Sequence, residues 1–247
     1  MATSAQSSPV VSSAKRVPGT AGRYFYFFMS LLIAATVIYG FSHTVNQNLL
    51  HANPIRPWLL WVHGTLFSAW VGFFILQSAL VRTRNVALHR VLGWFGVALA
   101  AAMTVVGLWT SIVMGRFDVA VLNEKNQATF LLVPFWDIAC FAACFGLAVL
   151  WRKKPELHRR LMLIATCALT AAAWGRMPVP PAVGLFFYVG VDALIVLGVV
   201  RDLVVTRRVH KVYLWALPVF AVGQFLVMRV ILTAPAWWMK IAHALVG

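Results

Sequence analysis

The sequence predicts an all-α fold: a polytopic membrane helix bundle of seven transmembrane helices, N-terminus in and C-terminus out. Three observations carry this. Of 247 residues, 62% are hydrophobic and 11% charged, with a mean hydropathy of +0.83. That is more apolar side chain than the interior of a domain this size can hide. The apolar residues fall into runs of about 20, the length that crosses the hydrocarbon core as a helix. The basic residues gather in alternate connections, the pattern that sets orientation in a bilayer. Composition alone excludes a large soluble catalytic domain, a disulfide-stapled secreted module and a disordered tail protein.

Residues 1–23 are Ser-rich and lack apolar periodicity, and are expected as a disordered cytoplasmic tail. The run 24–42 is longer than a signal-peptide core and ends without an A-x-A cleavage site, so it reads as the first span. Six more runs follow, at 57–81, 89–114, 128–151, 161–176, 182–200 and 212–234, the run 161–176 being the shortest. Together they make a transmembrane domain over 24–234, followed by a short periplasmic segment, 235–247. These runs are apolar on all faces and lack alternation, which excludes transmembrane strands.

With the N-terminus inside, the inner segments hold Lys15, Arg16 and Arg23, then Arg82, Arg84 and Arg90, then Arg152, Lys153, Lys154, Arg159 and Arg160, then Arg201, Arg207, Arg208 and Lys211. Five cations (Arg56, Arg116, Lys125, Arg176, Lys240) fall outside, and Arg229 lies within a span. An even helix count would break this alternation. Trp58, Trp61, Trp174, Trp237 and Trp238 near one boundary, and Trp94, Trp151 and Trp215 near the other, match the interfacial preference of indole. The net charge of +15 would suggest nucleic acid in a soluble protein. Here it is accounted for by topology and anionic headgroups, so the expected partners are the bilayer, its anionic lipids at the basic loops and a membrane protein, with no nucleic acid. Gly96, Ala100 and Thr104 form a small-residue stripe on the third helix that suits an intramolecular seam.

Ionisable groups inside hydrocarbon are costly and point to function. At 1.5 Å per residue, His63, Asp137, Asp192 and Arg229 lie about 8 to 15 Å in from the outer helix ends. They are expected to line one polar pocket in the outer half of the bilayer, with Tyr188 one turn from Asp192 and Gln224 on the helix of Arg229. Pro134 and Pro218 are placed to bend two of these helices. The set suits a ligand site or proton relay. It suits equally a pair of buried ion bridges, from Arg229 to Asp192 or Asp137, that only hold the helices in register. His63, Phe67, Trp70, Phe74 and Gln77 share one face of the second helix, a stripe that serves either packing or a pocket wall.

A second pattern lies at the inner boundary. Helices three, five and seven are entered through a His followed by a base, at His89, His158 and His210. RTRNVALHRVL and RKKPELHRRLM make helices two–three and four–five related hairpins, as internal duplication in membrane proteins produces. Neutral imidazoles there could ligate metal or haem, although a His capping a helix beside headgroups is their more ordinary use. His89 and His158 share one depth and could serve together as a bis-histidine pair; His63, in the other half, could pair with neither. No His lies near mid-membrane, which counts against stacked haems. Cys140, Cys144 and Cys167 suit packing better than redox or metal work. No P-loop, GxGxxG, nucleophile elbow or HExxH is present.

The stretches VHGTLFSAWVGFFILQSALV, LHRVLGWFG and FGLAVLWRKKPELHRRLML, over helices two to five, resemble a group of bacterial multi-pass membrane proteins of unassigned function. The His-Arg-x-Leu-Gly element is similar to one in a related membrane family thought to handle haem or serve respiratory-complex assembly. Carried onto this sequence, the likeness reaches His63, His89, Arg90, Gly93 and His158. A Leu, Leu59, stands where membrane zinc hydrolases of the ceramidase and adiponectin-receptor kind need a Ser, and no lysine occupies mid-helix seven as in a rhodopsin. The expectation is a bacterial inner-membrane protein whose outer-half pocket binds a small or lipidic ligand, with haem b as candidate cofactor, in redox or respiratory-complex maturation. Two alternatives stand beside it: a proton-coupled transporter or channel working through Asp192 and Asp137, and a structural accessory subunit.

Overall fold

The computed structural model describes residues 20–124, 127–178 and 187–247. Apart from residues 20–23, which open the first helix, the expected tail lies outside the described residues, as do Lys125 and residues 182–186 of the expected sixth span. All regular structure among the described residues is helical: α1 (Thr20–Ser42), a π-helical turn (Asn46–Leu50), α2 (Leu59–Arg82), α3 (Val86–Ala120), α4 (Gln127–Phe130), α5 (Leu132–Leu150), α6 (Pro155–Ala168), α7 (Ala171–Trp174), α8 (Phe187–Thr206), α9 (Lys211–Thr233) and α10 (Ala236–Val246).

Five stretches are long and apolar enough to cross a membrane: Tyr24–Ser42, Leu59–Arg82, Val86–Ala120, Gln127–Leu150 and Lys211–Thr233. Their outward faces are bare hydrocarbon, with Ile38 70% exposed, Val105 66% and Leu226 56%. In water such faces would drive association; in lipid they are solvated. The chain is a multi-pass helical membrane protein. These five match the first four and the last of the seven expected spans. The other two regions are helical but differ in kind. α6 has 14 residues and opens on Glu156, Arg159 and Arg160, yet from Arg160 onward nearly every side chain is buried. It is enclosed by α1, α5, α8 and α9, so it needs no lipid-facing surface. The chain turns at 169–170, where the Thr170 hydroxyl donates to the Cys167 carbonyl (2.7 Å), and resumes as α7. α8 carries Asp192, Arg201 and Asp202 within its 20 residues.

The two hairpins expected from the repeat, α2–α3 and α5–α6, are the most closely packed neighbours in the fold. α2 stops at Thr83, Arg84 adopts a left-handed conformation (φ 64°), and the Asn85 side chain accepts from the Leu88 N–H (3.3 Å) to cap α3. In the second hairpin Pro155 occupies the first turn of α6, where a missing N–H costs nothing. The small-residue face of α3 is a seam inside the chain: Gly96 lies against Phe73 of α2, and Gly107 against Phe67 of α2 and Ile138 of α5.

Side chains bring the basic helix ends together. The Arg82 guanidinium sits 3.9 Å from the centre of the Tyr24 ring, and Arg152 lies 5.6 Å from that of Trp94. The result is a basic end of the bundle. At the far end α3 runs on; its 35 residues reach about 52 Å, well beyond a bilayer core of about 30 Å. The 235–247 segment is folded there as α10. Arg116 Nε donates to the Leu245 carbonyl (2.7 Å), Trp238 Nε1 donates to that of Thr129 (3.1 Å), and Ala128, Leu131, Trp238, Ala242 and Val246 form a small core. The main core joins α1, α2, α3, α5, α6, α8 and α9.

Close approach of backbones is tightest where Gly40 of α1 meets the main chain of Ala173 in α7. A Cβ at Gly40 would strike backbone atoms that cannot rotate away. Gly40→Ala should lower the thermal midpoint of the detergent-solubilised protein, at a cost of about 1–3 kcal/mol. Gly72→Ala, where no neighbouring atom obstructs a Cβ, should leave it unchanged or slightly raised, and equal loss in both variants would refute the close approach.

Candidate functional site

Two groups of polar side chains stand out, one near the basic end and one toward the far end. The first follows from the hairpin repeat. His89 lies four residues beyond the Asn85 cap of α3, and His158 four residues beyond the Lys154 cap of α6. Equivalent positions on paired hairpins bring the imidazoles to a centroid separation of 6.2 Å, with planes at 82°. His158 Nδ1 lies 2.9 Å from the Ala148 carbonyl. A carbonyl can only accept, so Nδ1 carries the proton and the Nε2 lone pair is left free. The Gln77 carbonyl faces the His89 ring, and His89 Nδ1 is buried without a hydrogen bond. Gln77 itself is buried with neither amide atom paired, a costly arrangement for a polar group out of water.

The spacing can be read against coordination geometry. With metal–imidazole bonds of about 2.0–2.1 Å, one ion could be held by both rings at a centroid separation of this size. Ordinary ring contacts cover that distance too. What favours ligation is the anchored Nδ1 of His158, because a backbone partner that fixes tautomer and orientation is the usual support of a ligating imidazole. Among the described residues no three His, Cys, Asp or Glu gather as a metal-ion site. Two imidazoles would hold a metal only within a cofactor that brings its remaining ligands.

The second group contains four of the six residues expected in the outer pocket. Gln224 Nε2 of α9 donates to Asp192 Oδ1 of α8 (3.0 Å). The Tyr188 hydroxyl, one turn from Asp192, lies beside the Asp137 carboxyl of α5 and within electrostatic range of Asp192 and Cys140, though short of a well-formed hydrogen bond. Asp137, Tyr188, Asp192 and Gln224 thus form one cluster of polar groups across three helices, in which Gln224–Asp192 is the hydrogen bond formed. His63 and Arg229 stand apart from it. His63 stacks on Phe67 (4.1 Å, 24°), its Nδ1 is buried and unpaired, and its charged neighbour is Arg176. Arg229 is exposed and forms no ion pair with either aspartate. Cys140, Cys144 and Cys167 are buried free thiols.

Sequence reasoning missed a third constellation at the basic end, where Arg159, Arg160 and Arg201 were counted only as orientation charges. Arg160, 2% exposed, donates from Nε and Nη2 to both oxygens of the fully buried Asp202 (2.8 and 2.6 Å) and from Nη1 to Glu156 Oε2 (2.6 Å). Arg201 adds a further bond to Asp202 (2.9 Å). The signal was available: Asp202 is a lone acid among the bases that end α8, and Glu156 and Arg160 share a face of α6 at i, i+4. Burial alone would raise the Asp202 carboxyl, but the Arg160 and Arg201 guanidiniums hold it below its ordinary value of 3.8. Glu156 is likewise lowered, against burial, by Arg160 and Arg159. Comparison with protein families, curated proteins and solved structures finds no match.

Removing one partner of this buried pair strands the other, so Asp202→Asn should cost about 3–5 kcal/mol in thermal unfolding. The double variant Arg160→Met, Asp202→Leu should recover most of that loss. The pH sign follows from the depressed carboxyl: its stabilisation is fully present above the unfolded value and is lost as pH falls through the folded one. The wild type should therefore weaken more steeply than the double variant below about pH 4, and parallel acid profiles would refute the clamp.

Proposed function

We propose that this chain is a bacterial inner-membrane protein that holds haem b through His89 and His158 and works in redox chemistry or the maturation of a respiratory complex, beside a membrane protein partner. The observation that carries the reading is the His89–His158 pair, set at equal positions on two related hairpins, with one ring anchored by a backbone carbonyl. Bound haem would supply one-electron transfer, at a potential tuned by its ligands and burial. The chain's own part is to orient the imidazoles. Ala148 fixes the His158 ring and the backbone carbonyl of Gln77 flanks His89, both rings being half-buried at the basic end. Seven spans, N-terminus in, complete the proposal. The part of α6 after Arg160, continued by α7, supplies the fifth, and α8 up to Val200 belongs to the sixth, which leaves Glu156, Arg201 and Asp202 at the membrane boundary. The basic end then faces the cytoplasm and its anionic lipids.

A second reading rests on a different observation, the Asp137–Tyr188–Asp192 cluster steadied by Gln224. A hydroxyl beside two carboxyls within the helix bundle offers a proton path, and suits a proton-coupled transporter or channel. His63 and Arg229, outside this cluster, could line only its approach. A structural accessory subunit needs neither group.

Protein purified from cells with ample haem should show a Soret band that shifts on dithionite reduction. His89→Ala and His158→Ala should each abolish or strongly perturb it, while Asp192→Asn should not. Absence of the band would sink the haem reading. If Asp192→Asn abolishes proton uptake in proteoliposomes while stability is kept, the relay reading is favoured; lost stability with unchanged uptake makes the aspartate a structural anchor. For orientation, Gly247→Cys should react with an impermeant thiol reagent in intact spheroplasts, and protection there would overturn the proposed topology.

A further inference from the structure

The Arg160–Asp202 constellation carries more positive charge and more hydrogen-bond donors than it can satisfy. Arg160 is spent on Asp202 and Glu156. Both oxygens of Asp202 are taken, and Glu156 Oε2 accepts from Arg160 and Arg159 together. Three guanidiniums therefore face two carboxylates. Around them are four buried atoms without a partner: Arg159 Nε, Arg201 Nε, Tyr26 Oη and Tyr213 Oη. Arg201 and Tyr213 are themselves more than nine-tenths buried. The four belong to one place. The Arg159 and Arg201 guanidiniums lie 5.3 and 5.6 Å from the centre of the Tyr26 ring, and Tyr213 is in electrostatic contact with Tyr26, Asp202 and Arg160. Two of these atoms can only donate and the other two can donate. What the site lacks is an acceptor with negative charge.

We propose that Arg159, Arg201, Tyr26 and Tyr213 form a binding site for a phosphate group, the phosphodiester of an anionic lipid headgroup or free inorganic phosphate. Phosphate oxygens offer several acceptors to convergent donors, and guanidinium N–H groups match them better than ammonium does. Depth agrees with chemistry: Tyr26, Arg159 and Arg201 lie within about 9 Å of the basic ends of α1, α6 and α8, the level at which headgroups meet acyl chains. The site does not depend on the haem reading, since its residues touch neither His89 nor His158.

The test is native mass spectrometry and thermal unfolding of the full-length protein in detergent, with phosphatidylglycerol, phosphatidylcholine or inorganic phosphate added. Phosphatidylglycerol should remain bound and raise the midpoint, whereas phosphatidylcholine should do so less. Inorganic phosphate giving the full effect identifies a free-anion site, and a lipid-only effect identifies a headgroup site; no effect from either overturns the proposal. Arg159→Gln should weaken retention about fivefold. Tyr26→Phe, which keeps the ring and every ion pair, should weaken it severalfold without unfolding the protein. Lys240→Gln, on α10 at the far end of the bundle, should leave retention unchanged. Unaltered retention in both Tyr26→Phe and Arg159→Gln, or a loss confined to the lysine variant, would also overturn the proposal.

Discussion

Arg160 on α6 grips Asp202 on α8 through two hydrogen bonds, and through Glu156, Arg159, Arg201 and Tyr26 the same grip reaches α1. Apolar contact surrounds α6 on almost every side, but such contact is non-directional and would tolerate rotation of the helix. An ion pair with fixed geometry does not. Net stabilisation from a buried pair is modest once desolvation is counted, so its value lies in register. That register matters for both candidate sites. His158 stands two residues before Arg160 on α6. On α8, Tyr188 precedes Asp202 by fourteen residues, about four turns, and so returns to the same face. A clamp at the basic end thereby sets the rotation of the helix that carries Tyr188 and Asp192.

The second constraint is the pairing of hairpins. α2–α3 and α5–α6 each turn at the basic end, and each presents a His at the same distance past its helix cap. Neither hairpin alone could place two imidazoles face to edge. Their apposition, with α3 lying against α5, does so without a loop of any length at the site. Strand-free, rigid elements are the better support for a ligand pair that must hold its geometry.

Most of the architecture was legible because lipid demands long apolar runs; four such runs are helical within two residues of the expected bounds, and the third, expected at 89–114, extends over Val86–Ala120. α6 was the hardest to judge. Protein wraps it, so neither its length nor its charged first turns obeyed a rule written for lipid-facing helices. The His89–His158 neighbourhood was readable from the repeat, since related hairpins bring related positions together. The outer pocket was only half readable. Depth along a helix follows from counting residues, but direction around it does not: Arg229 and Gln224 are five residues apart, about 140° around α9. Gln224 turns inward to Asp192 and Arg229 outward. Gln77 was visible only as part of an aromatic stripe, and its backbone contact with His89 needed coordinates. The Arg160–Asp202 clamp was hidden by the charge rule itself, which assigns every inner cation to topology.

Low-temperature electron paramagnetic resonance of the oxidised, haem-replete protein tests the central claim most directly. Imidazole planes near perpendicular, as His89 and His158 stand at 82°, produce a low-spin ferric signal with one strongly displaced g value. The account predicts that signal in the wild type and its replacement by a high-spin or absent signal in His158→Ala. A high-spin wild-type spectrum, or a low-spin one that survives loss of His158, would contradict it.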